Sequence, residues 1–141
     1  MPTLAPKSRV TEIAAADPTR ALEHFERLFE FETDCWDVHA ALTSSAPDFV
    51  LLDVRGPEQF RNGHIAGAVN LPHARIIERN LAEYPAETVF VVYCAGPHCN
   101  GADRAAVRLA RLGRKVKKMI GGVTGWSDDG FALATGQSQA E

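Results

Sequence analysis

The chain has few cysteines: Cys35, Cys94 and Cys99, with no C-x-x-C pair among its 141 residues. That odd count lacks the signature of a zinc site and fits a reducing compartment better than a disulfide framework. Long apolar runs are missing too, none approaching the roughly 20 residues needed to span a bilayer. Lys7 and Arg9 stand near the start without the apolar segment of a secretory leader. The expected setting is the cytoplasm, with no membrane partner. Positive charge is not in excess: 15 Lys and Arg face 18 Asp and Glu, a formal net charge of -3. Nucleic-acid binding through bulk electrostatics is therefore not expected. There is no internal repeat and no low-complexity tract. What is there is a globular composition, 45% hydrophobic and 23% charged, long enough for one domain with a sizeable core.

The most informative stretch runs from Val89 to Ala106. Val89-Phe90-Val91-Val92-Tyr93 is an uninterrupted β-branched and aromatic run, the composition of a strand covered on both faces, as in a parallel sheet. From Ala102 the period changes, with Ala105, Ala106, Leu109 and Ala110 at helical offsets and Gly113 as a stop. Cys94 is thus expected at the carboxyl end of a strand, facing a helix N-terminus. At that edge unpaired N–H groups and the helix dipole favour an anion, and a thiolate is one, so Cys94 is the candidate nucleophile. Gly96, Pro97 and Gly101 support this over a merely structural cysteine, because glycines let backbone N–H groups converge and a ligand approach closely.

Residues 1–16 lack periodicity and read as a flexible arm. Asp17 and Pro18 give a cap and first-turn proline for a helix carrying Ala21, Leu22, Phe25, Leu28 and Phe29 on one face. That apolar face predicts a packing partner. Residues 29–33 alternate like a short strand, and Thr33 or Asp34 caps a helix through Trp36, Val38, Ala41 and Leu42. Residues 43–48 are turn chemistry before a second buried strand, Phe49 to Val54. A short helix over 58–61, a loop with a brief strand near Val69 and a helix over 75–83 precede the central strand. The chain continues through a last strand at 115–120, a glycine-lined turn at 121–126 and a frayed tail at 134–141. The body, 17–133, is read as one domain with an N-terminal helical extension. Such alternation predicts a parallel sheet with helices on both faces. Asp53 with Arg55, the Cys94 loop and Gly121-Gly122 are then expected to ring one pocket.

In order and spacing, Leu52-Asp53-Val54-Arg55, Phe60, Gly63-His64-Ile65, Gly67-Ala68-Val69-Asn70-Leu71-Pro72, Tyr93-Cys94 and Gly122-Val123-Thr124-Gly125-Trp126 resemble a single-domain rhodanese, of the sulfurtransferase family, over about Phe29 to Leu133. The resemblance implies a rhodanese-like α/β fold with a five-stranded parallel sheet flanked by helices. It also implies that Cys94 carries a sulfane sulfur as a persulfide, with no cofactor and no metal. Thiosulfate-type donors and thiol or cyanide acceptors are the implied small-molecule partners, and Ala95, Gly96, Pro97, His98, Cys99, Asn100 and Gly101 form the substrate loop. The oligomeric state is not indicated. Two departures stand out. The loop offers only His98 where thiosulfate-specialised members often carry basic residues. It is also one residue longer than the common form, approaching the related dual-specificity phosphatases and arsenate reductases, with Asn100 where their oxyanion-gripping Arg stands. A phosphatase or arsenate reductase, and a non-catalytic rhodanese-like binding or regulatory module, are the alternatives.

Cys99 is open as a resolving thiol or second sulfur carrier, but a tight cradle aims its N–H groups inward and neighbouring side chains outward, which favours a passive lining residue. Cys35 is expected to be packed. His64 and His73 are expected to fix loops by hydrogen bonds, and Asp53 with Arg55 to form a supporting ion pair. The basic run Arg104, Arg108, Arg111, Arg114, Lys115, Lys117 and Lys118 is read as a solvated face, its helical C-terminal members lying far from Cys94.

Overall fold

The computed structural model describes residues 8–44 and 46–137. The first seven residues of the expected arm, Ser45 of the expected turn and the last four residues of the tail lie outside the described residues. Five parallel strands form one sheet in the order β1-β5-β4-β2-β3: β1 Glu32–Thr33, β2 Val50–Asp53, β3 Val69–Asn70, β4 Val89–Tyr93 and β5 Lys115–Met119. The helices are α1 Arg9–Glu12, α2 Pro18–Phe31, α3 Cys35–Thr43, α4 Pro57–Asn62, α5 Gly101–Arg111 and α6 Gly122–Asp128. The chain divides into two compact units, one ending at Glu30 and one beginning at Phe31.

Because successive strand residues point to opposite faces, the buried runs read from the sequence feed two cores. Leu51, Val91, Tyr93 and Met119 meet Cys35, Val38, Phe60 and Trp126 on one face. Leu52, Phe90 and Val92 meet Ile76, Leu81, Ala102, Ala105 and Leu109 on the other. The expected parallel sheet with helices on both faces is the observed one. β4 lies at the centre, paired with both β2 and β5.

In the N-terminal unit the Asp17 carboxylate accepts the Thr19 and Arg20 N–H groups at 3.0 and 3.2 Å, capping α2 as its sequence predicts. No residue of α2 is buried.

Four local expectations are corrected. The helical period of residues 21–29 persists through Phe31, leaving only Glu32 and Thr33 as strand beside Lys118 and Met119. The helix expected over 75–83 is two 3-10 turns, His73–Arg75 and Glu78–Leu81. Ile76 and Ile77 between them are extended, and Asn80 donates its side-chain amide to the Arg75 carbonyl at 2.7 Å, a bond that competes with a helical ladder. Within the stretch expected as a turn, 121–126, only Gly121 lies outside a helix, and α6 runs from Gly122 to Asp128. Part of the expected frayed tail is anchored. Ala134 exchanges backbone hydrogen bonds with His64 at 2.9 and 2.7 Å, and the Gly136 N–H reaches the Arg61 carbonyl at 2.8 Å. The buried backbone of His64 needs those partners.

Candidate active site

β4 delivers Cys94 to the carboxyl edge of the sheet, 7% exposed. The loop beyond it turns once on itself, the Cys99 N–H donating to the Gly96 carbonyl at 3.1 Å, and enters α5 at Gly101. A Cβ at Gly101 would lie 2.8 Å from Cys94 Sγ and 3.4 Å from Cys99 Sγ. Glycine therefore lets the helix start close against both sulfurs, where its dipole favours negative charge on them. The Gly101 N–H itself donates to Cys99 Sγ at 3.4 Å.

The start of α6 holds the loop from below. Val123 and Thr124 donate their N–H groups to the carbonyls of Cys94 and Ala95 at 3.0 and 2.9 Å, and the Thr124 hydroxyl adds a bond to Ala95 at 3.1 Å. Gly122, at φ +61, makes this approach possible: a Cβ there would fall 2.5 Å from the Cys94 carbonyl oxygen and 2.8 Å from Gly96 N. The expected convergence of the Cys94 loop with Gly121-Gly122 is present.

Cys94 and Cys99 are joined by a disulfide, their Cα atoms 6.4 Å apart. This corrects the reading of Cys99 as a passive lining residue. The turn closed by Cys99 N–H and Gly96 carries the Cys99 side chain back over Cys94, so its sulfur shares the cavity. That cavity, about 240 Å³, is lined by Cys94, Gly96, Pro97 and Cys99 together with Asp103, Lys118, Gly121 and Gly122. Ala95, His98 and Asn100 do not line it; His98 is exposed, and Asn100 accepts from Arg104 Nε at 3.2 Å.

Asp53 and Arg55 are not part of the ring around this cavity, which corrects the expected three-turn pocket. The Asp53 carboxylate is fully buried and accepts two bonds from the guanidinium, at 2.7 and 3.0 Å, while Arg55 also donates to the Gly63 carbonyl at 2.6 Å. Those bonds commit the guanidinium to the scaffold. Burial, and the Asp53 carboxylate after it, push the Tyr93 phenol far up, so its oxygen is a neutral acceptor for the Ile65 N–H at 3.1 Å.

Sequence reasoning missed Lys118 and Asp103. They form an ion pair at 3.0 Å in the cavity wall. The available signal was position: Lys118 lies toward the carboxyl end of β5, opposite Val92, and Asp103 in the first turn of α5. Arg114 is no part of a solvated face either. It donates to the carbonyls of Pro85, Leu81 and Tyr84 at 2.8, 2.9 and 3.1 Å and clamps that segment.

Cys35 is packed as expected, 2% exposed, its thiol donating to the Ile120 carbonyl at 3.5 Å. Burial, then Asp129 and Asp34, push this thiol up to about 11, so it stays protonated and inert. His64 is buried, stacked on Phe60, with Nδ1 at 2.8 Å from the Phe60 carbonyl. His73 departs from expectation. Its Nδ1 is buried without a hydrogen-bond partner, and it anchors its loop through the backbone N–H to the Val54 carbonyl at 3.1 Å. Among the described residues no group of three or more potential ligands is placed to hold a metal ion, and no helix is long and apolar enough to cross a membrane.

The fold and site define an α/β protein with a cysteine loop cradled between two helix starts at the carboxyl edge of a parallel sheet. The chain belongs to the rhodanese-like domain family, whose model matches residues 37–129. It is 40% identical over 92 residues to the HTH-type transcriptional regulator Rv0324 of Mycobacterium tuberculosis, a match covering 64% of this chain and 40% of that protein. The chain spans less than two thirds of the length of the curated relatives it matches. Among solved structures it is similar to the BH2092 protein of Bacillus halodurans, with 32% identity, TM-score 0.81 and coverage of 84% of this chain and 87% of that one. It is also similar to a thiosulfate sulfurtransferase from Pseudomonas aeruginosa, with 25% identity, TM-score 0.66 and coverage of 83% and 22%.

Proposed function

We propose that the protein is a sulfurtransferase in which reduced Cys94 takes a sulfane sulfur from a donor such as thiosulfate and passes it to a thiol or cyanide. The observation that carries this reading is the seat of Cys94 Sγ. Cys94 lines the cavity, and glycine at position 101 starts α5 with no side chain where a Cβ would crowd the Cys94 sulfur. In the first half-reaction the Cys94 thiolate attacks the outer sulfur of thiosulfate; a new S–S bond forms, the donor's S–S bond breaks, and sulfite leaves with the bonding pair. In the second, the acceptor attacks the outer sulfur of the persulfide and regenerates the thiolate. The helix dipole favours the anionic sulfur. Lys118 supplies a cation for an anionic donor, which the loop itself lacks.

The same geometry disfavours phosphoryl transfer. That chemistry needs charge stabilisation on the equatorial oxygens; no arginine lines the cavity, and Arg55 is committed to Asp53. Similarity to a transcriptional regulator supports a second reading, a rhodanese-like module that binds or regulates without catalysis. Sulfite release separates the two. Reduced protein mixed with thiosulfate is expected to release stoichiometric sulfite, lost in Cys94→Ser and kept in Cys35→Ser. No sulfite from the parent, or sulfite undiminished in Cys94→Ser, overturns the proposal.

A further inference from the structure

From the Cys94–Cys99 bond inside the cavity we infer that Cys99 is a second catalytic thiol, an internal acceptor that expels the transferred sulfur as sulfide and leaves the site as a disulfide for a dithiol reductant to reopen. The inference rests on the sulfurtransferase reading and extends it by naming the acceptor and the product.

Three observations converge. The two sulfurs are bonded to each other across a Cα separation of 6.4 Å, within the span that cysteines bridge without backbone movement. Both sulfurs lie in the wall of one cavity. The helix start that favours a thiolate at Cys94 also serves Cys99, whose Sγ accepts the Gly101 N–H at 3.4 Å. Cys35, buried against the Ile120 and Gly122 carbonyls on the other side of the glycine turn, takes no part.

The chemistry balances with one external reductant. After sulfite leaves, Cys94 carries the persulfide Sγ–SH. The Cys99 thiolate attacks Cys94 Sγ; the Cys99–Cys94 bond forms, the bond to the outer sulfur breaks, and that sulfur departs as HS⁻ with its proton and the bonding pair. The sulfane sulfur is reduced to sulfide by two electrons, and the two cysteines are oxidised to the disulfide. A dithiol of protein or small-molecule type then reduces the disulfide by exchange, through a mixed disulfide, and is itself oxidised. Attack on the inner sulfur is the step the geometry favours, because it closes the bond seen in the structure. The partner this predicts is a dithiol, and the net reaction turns thiosulfate and a dithiol into sulfite, sulfide and a disulfide.

The test is a single turnover of the full chain, reduced, freed of small thiols under anaerobic conditions and mixed with thiosulfate without cyanide or added thiol. Sulfite, sulfide and intact mass are measured together. The parent is expected to release sulfite and sulfide in equal amounts and to end two hydrogens lighter than the reduced chain. Cys99→Ser is expected to keep the added sulfur on Cys94 and to yield less sulfide per sulfite released, by about tenfold or more, as the internal thiol's proximity advantage is lost. Sulfite without sulfide in the parent, with the sulfur retained, overturns this inference and leaves the sulfurtransferase reading standing. Equal sulfide from Cys99→Ser overturns it likewise, as does loss of sulfite in that variant, which would place Cys99 in the first step. No sulfite from either protein overturns both readings.

Discussion

Gly122→Ala tests whether the loop is held by the close approach of α6. Gly122 sits at φ +61, and a Cβ there would meet three backbone atoms: the Cys94 carbonyl oxygen at 2.5 Å, Gly96 N at 2.8 Å and the Ala95 carbonyl carbon at 2.9 Å. Backbone cannot swing aside as the tip of a side chain can. The left-handed conformation alone costs a non-glycine residue roughly 1–2 kcal/mol, and overpacking adds typically 1–3 kcal/mol, so the expected loss is about 2–5 kcal/mol. Gly113 is the control. It has φ +78, but a Cβ there meets nothing within 4 Å, so Gly113→Ala is expected to cost only the conformational part, roughly 1–2 kcal/mol. Denaturant unfolding of the two variants, with all thiols kept reduced, gives the crowding contribution as a difference. In melting temperature that difference of roughly 1–3 kcal/mol corresponds to about 3–10 °C for a chain of this size. Relief of the clash also requires the 94–96 backbone to move away from α6, so thiosulfate turnover of folded Gly122→Ala is expected to fall while Gly113→Ala keeps it. Equal destabilisation by the two substitutions, with Gly122→Ala fully active, would refute the idea that backbone contact with α6 fixes the loop.

Lys118→Gln is expected to raise the thiosulfate Michaelis constant about fivefold, the equivalent of roughly 1 kcal/mol for a partly exposed charge, with little change in melting temperature; Asp103→Asn, which frees Lys118, is expected to lower it. An unchanged constant in both would remove Lys118 from the donor site. Alkylation of reduced native protein at pH 8 is expected to label Cys94 and Cys99 but spare Cys35, which is buried and pushed up to about 11; peptide mapping of the labelled chain decides. The same raised value has a consequence for stability. The neutral thiol's contribution is intact below its unfolded value of about 9 and is lost as pH rises toward about 11, and Cys35→Ala is expected to abolish this component of alkaline unfolding. Asp53→Asn is expected to destabilise by about 3–5 kcal/mol, since it leaves the largely buried Arg55 guanidinium without its counter-charge; a loss below 1 kcal/mol in denaturant unfolding would show that the Gly63 carbonyl and solvent suffice.

Much of the fold is written locally. The β-branched run 89–93, the buried run before Asp53, the caps at Asp17 and Asp34 and the helical period after Gly101 each depend on residues a few positions apart. Those are the distances over which propensity and hydrophobic period operate. The place of Cys94 follows from the same signals, because a strand that ends and a helix that begins fix a sheet edge. Where local signals compete, they mislead: residues 75–83 have helical composition, yet Asn80 bonds the Arg75 carbonyl and the pair Ile76-Ile77 stays extended.

By itself, then, the sequence determined the alternating α/β order, the parallel sheet and the cysteine at its carboxyl edge. Tertiary structure alone decided what shares the cavity with that cysteine. Lys118 meets Asp103 because β5 runs beside β4 at the depth set by the Val92–Lys118 register. Arg55 is withdrawn because its guanidinium is consumed by Asp53 and the Gly63 carbonyl. Cys99 turns inward because the loop folds on Gly96 and is held by α6 from far along the chain. Side-chain direction in a loop is set by such distant contacts, and neighbouring residues carry no record of them.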